Sequence, residues 1–158
     1  MSHLLRLQNF RCHQDYQVEL PSELTIITGP NGSGKTSLIE AMYLAYQGKS
    51  WRSNFDQIRC QTSRQLSDWW RVDLTDQTEK TTRTIKYQSG QKSFTINDRT
   101  YCRLPLAMKV PVILFDPGDM QLLYGSPTRR RQFIDRFIAQ LEPAHQRELN
   151  KFNRVLKQ

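Results

Sequence analysis

The chain has 158 residues, room for one domain and one good core, so a large multidomain machine is excluded unless this is a piece of one. Its formal net charge is +8 and its pI about 9.7, an imbalance that favours an anionic partner without choosing among DNA, RNA and an acidic protein. Residues 126–158 carry eight Lys or Arg against three Asp or Glu, net +5, and residues 1–125 carry fifteen against twelve, net +3, so the basic character gathers near the end.

Leu5, Leu7 and Asn9 alternate with Leu4, Arg6, Gln8 and Phe10, and Tyr16, Val18 and Leu20 alternate again. This predicts two short strands joined by the polar turn 11–15 and forming an antiparallel edge. The run 24–28, Leu-Thr-Ile-Ile-Thr, is β-branched and apolar enough for a buried strand, and residues 29–34 then interrupt it with three glycines in six. From Lys35, the residues Leu38, Ile39, Met42, Ala45 and Tyr46 mark one face of a helix that Gly48 ends as a C-cap. Residues 49–67 are polar and without period, a loop with room for a short helix. The β-rich runs 69–74, 81–87 and 94–96 are separated by Asp76-Gln77, Ser89-Gly90 and Asn97-Asp98, which predicts an antiparallel meander.

Residues 112–115, Val-Ile-Leu-Phe, are a second candidate buried strand, stopped by the turn Asp116-Pro117-Gly118. Ser126 followed by Pro127 predicts a helix N-cap with proline at the first position. Phe133, Ile134, Phe137, Ile138 and Leu141 form that helix's apolar stripe, to about Gln140. Glu142-Pro143 restarts a second helix, with Leu149, Phe152 and Leu156 at spacings of three and four and the period still in progress at Gln158.

Cys12, Cys60 and Cys102 lie far apart, form no C-x-x-C pair and read as reduced thiols. The N-terminus has no apolar h-region and no run of about eighteen apolar residues occurs, so neither signal peptide nor membrane span is expected and a bacterial-type cytoplasmic location is the default. Trp51, Trp69 and Trp70 read as core rather than base-stacking platforms. His3, His13 and His145 have no ligand spacing, so no metal site is expected of them.

Gly29, Pro30, Asn31, Gly32, Ser33, Gly34, Lys35 and Thr36 match G-x-x-x-x-G-K-[ST], here between a predicted strand and an amphipathic helix. The glycines let the backbone curl so that successive N–H groups point into one concavity, and the lysine sets a cation against the β- and γ-phosphates. The Thr36 hydroxyl is the expected magnesium ligand, and the helix that follows, through Ser37, adds its positive end. The cofactors implied are ATP and Mg2+.

Which P-loop family this is follows from the neighbours. The stretch Leu-Arg-Leu-Gln-Asn-Phe-Arg at 5–11, then Val-Glu-Leu at 18–20, the loop in its N-G-S-G-K form, and Leu-Ile-Glu-Ala at 38–41 together resemble the start of the RecF, SMC and related ABC-type ATPases of DNA repair. The RecF family in particular is suggested by Gly-Lys-Ser-Trp-Arg at 48–52, by residues 113–127 from Ile-Leu-Phe-Asp-Pro-Gly to Gly-Ser-Pro, and by Arg130-Arg131-Gln132-Phe133-Ile134-Asp135.

The resemblance implies an α/β fold, the N-terminal half of a P-loop ABC-type ATPase head with an antiparallel β subdomain (residues 1–125), then the start of a helical arm (residues 126–158), truncated. It also implies a recombination mediator that binds DNA at single-strand/double-strand junctions in an ATP-dependent way, in gap repair, replication-fork recovery and the SOS response. RecR- and RecO-type partners and an ATP-dependent homodimer come with it, and no membrane. Arg11 would reach the nucleotide from the first strand-turn, the other reading being an exposed turn arginine. Asp116 would hold magnesium through water or else initiate the turn at Pro117. Arg129, Arg130 and Arg131 would meet DNA phosphate, a partner's acidic surface, or ion pairs inside the head.

The signature and Walker B motifs of such heads are not found after residue 127, so nucleotide binding without turnover is expected of this chain. The alternatives are an SMC-like or OLD-type P-loop ATPase, and a small-molecule kinase built on the same loop.

Overall fold

The structure, a computed structural model, describes residues 2–21, 23–60 and 68–156. They form two compact units, Met1–Pro105 and Leu106–Gln158.

The first unit is a six-stranded antiparallel sheet, β1 (Ser2–Phe10), β2 (His13–Pro21), β3 (Trp69–Asp76), β4 (Thr81–Gln88), β5 (Gln91–Ile96) and β6 (Arg99–Tyr101). The strands lie side by side in the order β2-β1-β3-β4-β5-β6. The expected edge hairpin and the expected meander are both present. β6 went unpredicted because three residues, Arg-Thr-Tyr, are too short to show alternation.

Turn chemistry accounts for much of the register. Gln88 pairs with Gln91 across Ser89 and Gly90, and Ile96 with Arg99 across Asn97 and Asp98. All four linking residues have positive φ, the two-residue turn whose twist suits a hairpin. Between β3 and β4 the Asp76 carboxylate accepts from the N–H groups of Thr78 (2.8 Å) and Glu79 (3.0 Å), pinning the start of the turn.

One face of the sheet carries Leu5, Leu7, Phe10, Trp70, Val72, Leu74, Ile85, Phe94 and Ile96. Against it lies α1 (Lys35–Gln47), which buries Leu38, Ala41, Leu44 and Ala45. The helix ends where predicted, with the Gly48 N–H donating to Leu44 O at 2.8 Å. Its buried face is rotated from the predicted one, since Ile39 is exposed and Glu40 is fully buried. Trp70 sits at the centre of the core, its ring stacked on Tyr87 and its indole N–H donating to Phe55 O at 2.8 Å. Trp69 and Trp51 are half-buried, Trp51 with its ring edge-on to Tyr43. Within the predicted loop 49–67, Phe55–Gln57 form a short 3-10 turn, and residues 61–67 lie outside the described ones.

The run 24–28 is no strand. It lies outside the sheet, Leu24 and Ile26 are each 77% exposed, and of its side chains Ile27 packs on the core. The run 112–115 in the second unit is likewise no strand, with Ile113 54% and Phe115 68% exposed. The physical reason is common to both. β-branched composition favours an extended backbone, but a strand exists only when a neighbour supplies the ladder, and no strand pairs with either run among the described residues.

The second unit contains α2 (Gln121–Tyr124), α3 (Pro127–Leu141) and α4 (Pro143–Val155). Ser126 is the N-cap of α3 by position, but its side chain makes no capping hydrogen bond. The first unit ends at Pro105, and Leu104 is the last residue in its core cluster among the described residues. Residues 110–115 belong with α3, since Val112 N–H donates to Gln140 Oε1 at 2.8 Å and the Phe115 ring meets that of Phe133 at 5.8 Å. No helix among the described residues is long and apolar enough to cross a membrane.

Candidate nucleotide-binding site

The glycine-rich loop enters α1 through Gly34, whose φ of +93° is left-handed. An ideal Cβ there would stand 2.4 Å from His13 Nε2 and 2.6 Å from Cys12 Sγ. Glycine at 34 is therefore demanded twice, by backbone conformation and by the β1–β2 turn packed against it. Gly29 (φ +152°) and Gly32 (φ +83°) bend the loop ahead of it.

Lys35 follows at the first position of α1, and its ammonium donates to Gly29 O and Pro30 O, both at 2.8 Å. The charge is thus held over the loop it serves. The N–H groups of Lys35, Thr36 and Ser37 open α1 and have no acceptor within the helix, the first such bond being Leu38 N–H to Gly34 O at 3.1 Å. Together with the helix dipole they make an anion-attracting end.

Facing this end is an open cavity of about 570 Å³ lined by Asn31, Gly32, Gly34, Lys35, Thr36 and Ser37 on the loop side. Arg11, Cys12, Arg52, Gln57 and Arg59 line the rest. Four of these residues are cationic, and no Asp or Glu is among them. A concavity with that lining suits a polyphosphate, whose charge it neutralises and whose oxygens it can engage with main-chain donors.

The arginine wall is fixed from below. Arg11 has the left-handed φ of +56°, unusual for a side chain of its size, and its N–H donates to Ile58 O at 2.8 Å. Its guanidinium donates to Glu40 (Nε to Oε2 2.9 Å, Nη2 to Oε1 2.6 Å), to Ser53 Oγ (2.5 Å) and to Gln57 O (3.1 Å). Arg59 is set by a bridge with Phe10, reinforced by Cys60 N–H donating to Asn9 O at 2.8 Å.

Sequence reasoning placed Arg11 and the loop on the nucleotide but passed over Glu40, Arg52, Gln57 and Arg59. Glu40 did leave a signal: it shares a helix face with Ser37, Ala41 and Leu44, a carboxylate in an otherwise small or apolar stripe. Arg59 left none, because what brings it to the loop is a bridge between segments about fifty residues apart.

Asp116 and the arginine run lie in the other unit. The Asp116 carboxylate accepts from Gly118 N–H at 2.6 Å while Asp119 Oδ2 accepts from Asp116 N–H at 2.8 Å, so Asp116 initiates the turn at Pro117. Arg129, Arg130 and Arg131 do not form one patch, since consecutive helical residues point about 100° apart. Arg129 donates to the Gln121 side chain, and Arg130 turns back on Leu122 O (3.4 Å) and Gly125 O (3.2 Å). Arg131 is exposed. Arg129 and Arg136, two turns apart, line a cavity of about 280 Å³ with Gln132, Phe133 and residues of the 118–122 turn.

Cys12 and Cys102 are exposed and Cys60 is buried, all three free thiols. Among the described residues no group of three or more His, Cys, Asp or Glu side chains gathers as for a metal.

The family described as AAA_23, AAA domain, matches residues 4–153. The DNA replication and repair protein RecF of Desulfitobacterium hafniense is 34% identical over 161 residues, a match covering 98% of this chain and 42% of that protein. The chain thus spans about two fifths of the length of the relatives it matches. The solved structure of the recombination mediator RecF with ATPrS, in the RecFOR pathway, superposes with a TM-score of 0.76 at 22% identity, over 99% of this chain and 43% of that one. A structure from work on ATP-driven dimerisation and DNA-stimulated activation of SMC ATPases superposes at 0.63 and 22%, over 84% and 96%. These likenesses show the fold: the N-terminal half of an ABC-type ATPase head.

Proposed function

Because the chain belongs to the AAA_23 family of AAA domains, we propose that it is the ATP-binding portion of a RecF-type recombination mediator, which engages DNA in a nucleotide-dependent way during gap repair. The observation that carries this reading is the cavity in which the glycine loop, the opening turn of α1 and Lys35 face Arg11, Arg52 and Arg59 with no acidic residue in the lining.

In this reading the ligand's phosphates draw the Lys35 ammonium off Gly29 O and Pro30 O and take up the loop and first-turn N–H groups. Gly29, Pro30, Asn31, Gly32, Ser33 and Gly34 shape the nest and Ser37 completes the turn. Thr36 lines the cavity, and its hydroxyl would suit a hard cation such as Mg2+, which when bound would supply further charge neutralisation on the phosphates. DNA at single-strand/double-strand junctions, RecR- and RecO-type partners and an ATP-dependent homodimer belong to the proposal for the protein at its relatives' full length, in a cytoplasmic setting.

The test is a titration of the chain with a fluorescent ATP analogue and magnesium. Saturable binding that Lys35→Met removes, in a variant that melts as the parent does, is the expected result. Equal binding by parent and variant would refute the site. For the longer protein, ATP is expected to raise affinity for gapped DNA, and an affinity indifferent to ATP rejects the mediator reading.

A further inference from the structure

Glu40 is a carboxylate at 0% exposure on the core face of α1, where an apolar side chain would pack without cost. It accepts from Arg11 Nε (2.9 Å), Arg11 Nη2 (2.6 Å) and Ser50 Oγ (2.5 Å), and Arg52 Nη1 stands 3.6 Å from its Oε2. A buried ion pair is in general no more stabilising than apolar residues of the same volume, so stability alone does not account for this one. Both of its arginines line the nucleotide cavity, though their own partners differ. Arg11 is fixed at four N–H positions by Glu40, Ser53 and Gln57, whereas Arg52 is close to half exposed and among the described residues has Glu40 as its one ion-pair partner.

We infer that Glu40 is a positioning residue for nucleotide binding, which acts through Arg11 and Arg52 by holding their guanidiniums on the wall of the cavity that the glycine loop also lines. The inference rests on the nucleotide reading of that cavity. Chemistry gives it a sign that bulk electrostatics does not share. Removing a negative charge beside a polyanion site raises affinity if charge alone matters, but lowers it if the carboxylate's work is to aim two cations.

The experiment is competition titration of ATP and AMP against a fluorescent ATP analogue on the chain carrying Glu40→Gln, with melting curves in parallel. The expected result is weakening of ATP by roughly tenfold, the equivalent of one lost charge-assisted hydrogen bond, with a fall in the ATP-to-AMP affinity ratio. A general loosening of the fold would leave that ratio in place. Unchanged or tighter ATP binding by folded E40Q overturns the inference. Should E40Q not fold, Glu40→Asp keeps the charge and withdraws the carboxylate by one methylene. The same loss is expected there, and parental affinity in that variant overturns the inference equally. The two readings fail separately: a parent chain that binds no nucleotide sinks the site itself, whereas a parent that binds beside an E40Q that binds as well sinks only the role of Glu40.

Discussion

Replacing Gly34 by alanine tests the joint between the loop and the β1–β2 turn. Two costs arise, and Gly32→Ala separates them. At Gly32 an added Cβ meets nothing within 4 Å, so alanine there bears only the left-handed backbone, about 1–2 kcal/mol. At Gly34 the same strain applies at φ +93°, and the Cβ also falls 2.4–2.7 Å from the His13 ring and Cys12 Sγ. Neither neighbour yields freely, because His13 packs on Tyr16 at 5.0 Å and both belong to the turn that carries Arg11. Forcing that overlap adds about 1–3 kcal/mol. Urea denaturation of the two variants should therefore differ by about that amount, with Gly34→Ala the less stable. Nucleotide titration should show a further loss in Gly34→Ala, since relieving the overlap moves the Arg11 turn. Equal destabilisation and equal affinity in the two variants would refute the packing argument and leave backbone strain as the whole effect.

Trp70→Ala should cost about 3–5 kcal/mol in the same assay, because it opens the centre of the aromatic cluster and strands Phe55 O; a loss below about 1 kcal/mol would mean that the core is not centred there. Asp76 is held below the ordinary carboxylate value of 3.8, chiefly by the Glu79 N–H and also by the Thr78 N–H, against the opposing effect of burial. A depressed folded pKa stabilises above the unfolded value and is lost as pH falls through the folded one, so stability should decline below about pH 3.8, and Asp76→Asn should flatten that decline. An unchanged slope in D76N would assign the acid sensitivity elsewhere. Arg130→Ala should speed amide exchange through residues 122–126, since it braces the carbonyls of Leu122 and Gly125, while exposed Arg131→Ala should leave stability within about 0.5 kcal/mol; the reverse order would contradict the assigned contacts.

The parts of this fold that were legible in the sequence are those whose cause is local. β1 and β2 alternate, α1 is bounded by a glycine loop and Gly48, and the meander's turns are spelled by Ser-Gly and Asn-Asp, residues that tolerate positive φ. The loop pattern G-x-x-x-x-G-K-[ST] was visible for the same reason, since it sets fixed residue types at fixed spacing, and the loop does lead into α1. What was not legible depends on partners distant along the chain. Residues 24–28 and 112–115 have strand composition and no ladder, because composition reports what a backbone tolerates and not who stands beside it.

The cavity wall teaches the same point with more consequence. Arg59 carries no local mark, Arg52 and Glu40 stand in segments of the resemblance that assign them no role, and Arg11 is placed by residues distant along the chain: Ile58 and Gln57 through their carbonyls, Ser53 through its hydroxyl, Glu40 through its carboxylate. A loop of glycines can attract phosphate by itself, but it cannot select how many phosphates are present or where the chain beyond them goes. That selection needs charges fixed on the opposite side, and fixing a long guanidinium takes a buried acceptor from another element. Glu40 on α1 is such an acceptor, so the helix that opens with Lys35 on the loop side also anchors, five residues on, the wall that faces it. In the proposed nucleotide reading, a change that tilts α1 would therefore shift both Lys35 and the carboxylate on which Arg11 is held.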